Sequence, residues 1–220
     1  MRLELVVRAW RDAIAQLQRD LSKKMPPKTK TLRLLLGDQL NPGHSWFTTV
    51  DENVLYVMME VRQETDYVLH HIQKVLAFFA AMREFARQLQ ENGHRLRYIT
   101  LDDPDNTQSM TDNLGKLIQA EHVERFEYQL PDEYRLDQQL RKFSTSLSVP
   151  ATAADTEHFL TSRTDVADFF SGKKHYLMES FYRMMRRRTG ILMEDGKPAG
   201  GEWNYDQENR QPYDGQVAVP

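Results

Sequence analysis

Short apolar runs closed by polar turns alternate with longer stretches of helical period through the middle of this chain. Leu32 to Leu36 is one such run, broken by Gly37-Asp38-Gln39-Leu40-Asn41-Pro42-Gly43. Val54 to Met59 is the next, stopped at Glu60. From about Thr65 to Glu91, Val68, Ile72, Val75, Phe79, Met82, Ala86 and Leu89 recur at helical spacing, and Asn92-Gly93 ends the stretch. A third strand is predicted over Leu96 to Leu101, a helix from about Ser109 to Ala120, and a fourth strand over His122 to Tyr128. A further helix covers roughly Glu133 to Phe143, and an apolar stretch near Leu147 to Val149 reads as strand five. Strands separated by helices of this length predict a doubly wound, mostly parallel, Rossmann-like α/β sheet with helices on both faces. The run at Leu32 to Leu36 is expected at its centre, because it is apolar on both sides.

The flanks differ. In residues 1–28, Leu3, Val7, Trp10, Ile14, Leu17 and Leu21 form a narrow seam, with Arg2, Arg8, Arg11, Arg19, Lys23, Lys24 and Lys28 outnumbering Glu4, Asp12 and Asp20. This pattern predicts an amphipathic helix that docks on the domain or self-associates with a second copy. Residues 29–150 hold the α/β pattern, and residues 151–220 read as a helical and irregular connector. Phe159, Val166, Phe169 and Phe170 mark a short helix there, and Tyr176 to Thr189 a longer one stopped by Gly190. The sequence beyond Glu194 is rich in Gly, Pro, Asn and Asp, a composition that rarely packs a core by itself.

Composition narrows the chemistry. Of 220 residues, 40% are hydrophobic, enough for a sizeable core, and the net charge of -3 does not demand nucleic acid as a partner. There are no cysteines, which excludes disulfides, thiolate nucleophiles and a cysteine-held iron–sulfur cluster within these residues. No run approaches the roughly 18 apolar residues of a membrane helix. The expectation is a cytoplasmic protein with no membrane partner.

Candidate site residues cluster where strands end. In an open α/β sheet, ligands bind outside the carboxyl ends of the strands. Asp38 and Gln39 follow strand one, either as loop caps or as hydrogen-bonding groups for a polar heterocycle. Glu60 and Glu64 follow strand two, Glu64 either favoured by the helix dipole or accepting from ring N–H groups. No G-x-G-x-x-G follows the strand, so a dinucleotide pyrophosphate site is not expected. His70 and His71 point about 100° apart on a helix and do not chelate one metal together. Asp102-Asp103-Pro104-Asp105-Asn106 reads as a turn and helix cap, with hard-cation binding the alternative. Arg183, Arg186 and Arg187, with Arg188, form a basic cluster near a helix end, suited to docking a partner or to phosphate contact.

Several long motifs carry a resemblance. They are Leu34-Leu35-Leu36-Gly37-Asp38-Gln39-Leu40, the stretch from Met59-Glu60-Val61-Arg62-Gln63-Glu64-Thr65 to Lys74, Arg97 to Asn106, Met178 to Met193, and Gly200 to Arg210. In these the chain, from about Leu32 to Arg210, resembles the amino-terminal half of the photolyase-related proteins of bacteria, the group of prokaryotic (6-4) photolyases and iron–sulfur bacterial cryptochromes. The resemblance implies an antenna domain holding 6,7-dimethyl-8-ribityllumazine. It implies FAD and a [4Fe–4S] cluster only in a carboxy-terminal domain of a full-length member, a lyase that repairs ultraviolet-damaged DNA in light. Carried over by position, Gly37, Asp38, Gln39 and Leu40 would line the chromophore with Met59, Glu60 and Glu64, and Tyr67 and Phe78 would cover it. Phe78 stands where smaller aliphatic residues are common in the family. These residues alone are expected to lack flavin photochemistry and to bind DNA weakly or not at all. The competing expectation is a non-catalytic interaction module with a vestigial pocket and a basic docking helix.

Overall fold

The computed structural model describes residues 29–206 and 215; the helix expected over residues 1–28 lies outside the described residues. Five strands form one parallel sheet in the order β3-β2-β1-β4-β5. They are β1 (Thr31–Leu34), β2 (Val54–Met59), β3 (Leu96–Ile99), β4 (Arg125–Gln129) and β5 (Ala151–Ala154). β1 is central: Thr31 pairs with Val54 on one side and with Arg125 on the other, and the registers run in step to Leu34. Among the described residues, four α-helices complete this unit: α1 (Arg62–Thr65), α2 (Ile72–Glu91), α3 (Met110–Ala120) and α4 (Tyr134–Ser146).

β2 shows why the sheet is wound on both faces. All six of its residues are buried, and successive side chains point to opposite faces. Leu55, Val57 and Met59 join Leu32, Leu34, Leu114 and Leu140, the core beneath α3 and α4. Val54, Tyr56 and Met58 join Met82, Phe85, Ala86 and Leu89 beneath α2. The doubly wound expectation therefore holds, with a helix layer on each side.

Besides shifts of one to three residues at element ends, three larger differences separate the structure from the sequence pattern. The helix expected from Thr65 to Glu91 is broken at residues 66–71. His71 takes an extended backbone conformation there, and its ring nitrogen accepts from the Gln73 N–H, starting α2 anew. Val68 and Ile72, expected on the buried stripe, are exposed. The fifth strand is not Leu147 to Val149 but the segment after Pro150. Leu147 and Val149 pack on the core from a loop, whereas β5 needs only its backbone to add to the sheet edge. Finally, the chain divides between Leu160 and Thr161 rather than at 150, because β5 belongs to the sheet.

The second unit contains α5 (Asp165–Phe170), α6 (Met178–Thr189) and the short antiparallel pair β6 (Met193–Glu194) and β7 (Lys197–Pro198). Phe169 and Phe170 pack on Phe181 with ring centroids 5.3 and 6.1 Å away. Gly190 ends α6 in the left-handed conformation that glycine adopts without a Cβ penalty, and its N–H bonds to the Arg186 carbonyl. Among the described residues, no helix is long and apolar enough to cross a membrane.

Candidate functional site

A cavity of about 270 Å³ opens at the carboxyl ends of β1 and β2. β1 and its exit supply Leu34, Leu35, Leu36, Gly37 and Asp38. β2 and the segment after it supply Met59, Val61 and Glu64, α2 supplies Phe78, Phe79 and Met82, and α4 supplies Arg135 and Leu136. The place is the topological switch of this strand order, where chain leaves β1 toward β2 on one side and β4 lies on the other. Most walls are aliphatic or aromatic, with polar groups at the rim.

Gly37 lets α2 come close. A Cβ on Gly37 would stand 2.4 Å from Phe78 Cε1 and 2.8 Å from Met82 Sδ, so any side chain there would have to push these two aside. Gln39 holds this exit loop in place. Its side chain is turned inward and only 1% exposed. Oε1 accepts from the Leu36 N–H at 3.0 Å, while Nε2 donates to the Gln129 carbonyl at 3.2 Å. Gln39 thus stitches the exit of β1 to the exit of β4 and leaves Asp38 beside the cavity. Desolvation raises the Asp38 carboxyl above its usual range, and the nearby Asp132 and Glu133 carboxylates push the same way.

Glu64 faces the cavity already paired. Arg135 forks its carboxylate, Nη2 to Oε2 at 2.9 Å and Nη1 to Oε1 at 3.3 Å. The same guanidinium lies 4.5 Å from the centre of the Tyr67 ring. The bond to Glu64 raises the already high pKa of Arg135. Tyr67 in turn meets the His70 ring edge to face at 5.2 Å.

Glu60 does a different job. It is fully buried, and four bonds reach its carboxylate. Arg83 donates at 2.6 and 2.8 Å, Tyr98 Oη at 2.7 Å and the Leu101 N–H at 3.0 Å. Burial works to raise its pKa, but these bonds outweigh that and hold it below the ordinary value. Tyr98 is raised by desolvation and by the same carboxylate.

Of the residues singled out by sequence, Gly37, Asp38, Met59, Glu64, Tyr67 and Phe78 meet at the cavity. Gln39, Leu40 and Glu60 do not line it. Leu40 packs on the core beneath α2, and Gln39 and Glu60 bind the frame. Arg135 was missed, since one arginine in the first turn of a helix carries no signal of its own. His70 lines the cavity, and His71 caps α2. Asp103 shapes a turn, accepting from the Asp105 N–H at 3.0 Å, and Ser109 caps α3.

The basic cluster of α6 divides. Arg186 is 3% exposed and donates to the Trp203 carbonyl at 3.0 Å and to the Leu192 carbonyl. It is a staple inside its own unit, not a surface for phosphate. Arg183 is paired with Glu179 at 2.6 Å. Arg187 is exposed, with its guanidinium 4.8 Å from the Trp203 ring centre.

The family model of the deoxyribodipyrimidine photo-lyase-related proteins matches residues 33–220. The chain belongs to this family. It is 38% identical over 182 residues to a (6-4) photolyase of Agrobacterium fabrum, a match covering 82% of this chain and 36% of that protein. It thus spans about a third of the photolyase's length. An uncharacterized protein of Acanthamoeba polyphaga mimivirus is 24% identical over 149 residues, covering 66% of this chain and 74% of that protein. In this photo-lyase-related chain the match takes in the whole α/β sheet from Arg33 onward, and with it every residue of the cavity.

Proposed function

We propose that the α/β unit is an antenna module of a light-dependent DNA-repair protein, with 6,7-dimethyl-8-ribityllumazine as its chromophore. The observation that carries this reading is the apolar cavity at the carboxyl ends of β1 and β2, rimmed by Asp38, Glu64 and Arg135. A lumazine ring offers amide-like donors and acceptors along one edge and flat apolar faces elsewhere. The residues present suit both needs. Glu64 and Asp38 accept, Arg135 donates, and Met59, Phe78 and Leu136 provide apolar surface. An unpaired ring group in such a slot would cost about 1–3 kcal/mol, so the polar rim selects the pose. When bound, the chromophore supplies light absorption and passes excitation energy to a flavin.

In this reading the flavin and a [4Fe–4S] cluster belong to the part of the photolyase outside the matched region. The 220 residues contain no cysteine, so a thiolate-held cluster does not fit them. Contact with damaged DNA is likewise assigned to the whole protein.

Titration of the lumazine, followed by its fluorescence, tests the proposal. The wild type should bind. Glu64→Val should weaken binding about tenfold or more, about 1.4 kcal/mol, with an unchanged circular dichroism spectrum. No binding to the wild type, or equal affinities, would refute the antenna reading. That result would promote a second reading, a non-catalytic interaction module. One observation favours it: Leu69, Ile72 and Leu76 are all exposed at and near the start of α2.

A further inference from the structure

We infer that Phe78 sets the ring size this cavity accepts, admitting a two-ring lumazine and turning away a three-ring flavin. The inference rests on the chromophore reading above and goes further, to the selectivity of the same site.

The polar groups cannot supply that selectivity. A lumazine and riboflavin share the pyrimidinedione edge and the ribityl chain, so Asp38, Glu64 and Arg135 would meet the same atoms in both. What differs is one additional fused ring. Discrimination therefore falls on volume. At about 270 Å³ the cavity lies just below the roughly 300–1,000 Å³ usual for sites that enclose a drug-sized ligand.

The walls differ in how far they can give. Met59, Val61, Met110 and Leu136 are all buried members of the core beneath α3 and α4. Moving them disturbs a close-packed interior. Phe78 is 42% exposed, yet it has no room to retreat inward. Its ring rests against the bare backbone of Gly37, at the position where a Cβ would be 2.4 Å from Cε1 and 2.8 Å from Cζ. Met82 Sδ closes the adjoining space at 2.8 Å from the same point. Phe78 is thus a wedge between α2 and the exit of β1. It is large, fixed on its inner side, and free to be shortened without opening the core. Truncation here adds space beside Gly37 and leaves the core beneath α3 and α4 intact.

The experiment uses the full chain and two probes, the lumazine and riboflavin, read by fluorescence polarisation. Wild type, Phe78→Leu and Phe78→Ala are titrated with each, and thermal melts verify that all three fold. The wild type should prefer the lumazine by about tenfold or more, the penalty typical of a group that overfills a hydrophobic pocket. Phe78→Ala should shift the ratio of the two affinities toward riboflavin by about tenfold, whatever the loss of its ring costs both probes alike, with Phe78→Leu between. If the wild type binds the lumazine and the preference is the same in Phe78→Ala, the size filter is refuted and the chromophore reading stands. Equal wild-type affinities for the two probes also refute the filter alone. If none of the three proteins binds either probe, both the filter and the chromophore reading fall.

Discussion

Arg83 reaches from α2 across the end of the sheet to grip the fully buried Glu60 carboxylate with two bonds, at 2.6 and 2.8 Å. Arg83 is half-exposed, but without it the fully buried Glu60 carboxylate loses two of its donors. Glu60→Gln and Arg83→Ala should each destabilise the α/β unit by about 1–3 kcal/mol. In thermal melts the expected shift is about 2–4 °C per kcal/mol.

The same pair predicts a pH dependence. The folded-state pKa of Glu60 lies below its ordinary value of 4.5. Stability from this group is therefore fully present above that value and is lost as pH falls through the lower, folded-state value. Urea melts of wild type should weaken progressively below about pH 4.5, and Glu60→Gln should flatten that part of the curve. An unchanged acid limb in the variant would show that other carboxylates dominate.

Gly37→Ala should force Phe78 off its seat, since the new Cβ would meet the ring at 2.4 Å. The expected cost is about 1–3 kcal/mol, as for other overpacked sites. Adding Phe78→Leu should recover part of it. A double-mutant cycle measures the coupling, and simple additivity would mean that the contact carries no strain in the variant.

Arg135→Met should leave stability within about 1 kcal/mol of wild type, because the pair with Glu64 is partly solvated. Its effect should appear in the lumazine titration as a loss comparable to Glu64→Val. The double variant should lose little more than either single one if the two act as a unit.

In the second unit, Arg186→Met should release the segment from Leu192 to Trp203 that its guanidinium ties to α6. Hydrogen exchange there should accelerate, whereas Arg187→Ala should leave it unchanged. DNA binding by the chain should be weak and fall steeply with salt, and Arg187→Ala should weaken it further. Tight, salt-insensitive binding would contradict this.

Much of the sheet could be read from pattern because burial on both faces writes itself into composition. β2 runs from Val54 to Met59 as expected, bounded by Asp51-Glu52-Asn53 and Glu60. β5 could not be read in the same way. Its Ala-Thr-Ala-Ala sequence sits at a sheet edge, where the backbone ladder sets the pairing and side chains leave no period. The break at residues 66–71 was hidden because Val68 and Ile72 keep the apolar spacing while facing solvent.

The site was legible in polarity but not in direction. Asp38 and Gln39 are neighbours with the same signal, yet one borders the cavity and the other turns to a carbonyl 90 residues away. Glu60 and Glu64 divide likewise. Arg135 comes to Glu64 from 71 residues along the chain, a juxtaposition that only the folded topology creates.

The interruption between α1 and α2 has a kinetic consequence. Tyr67 and His70, which wall the cavity, belong to neither helix, and Tyr67, Val68 and Leu69 are exposed. A wall of this kind opens at far less cost than unfolding the sheet behind it. Loop motions of this sort run from about nanoseconds to microseconds. In the antenna reading, the chromophore would cross this wall into a protein that is already folded, so its filling would follow folding.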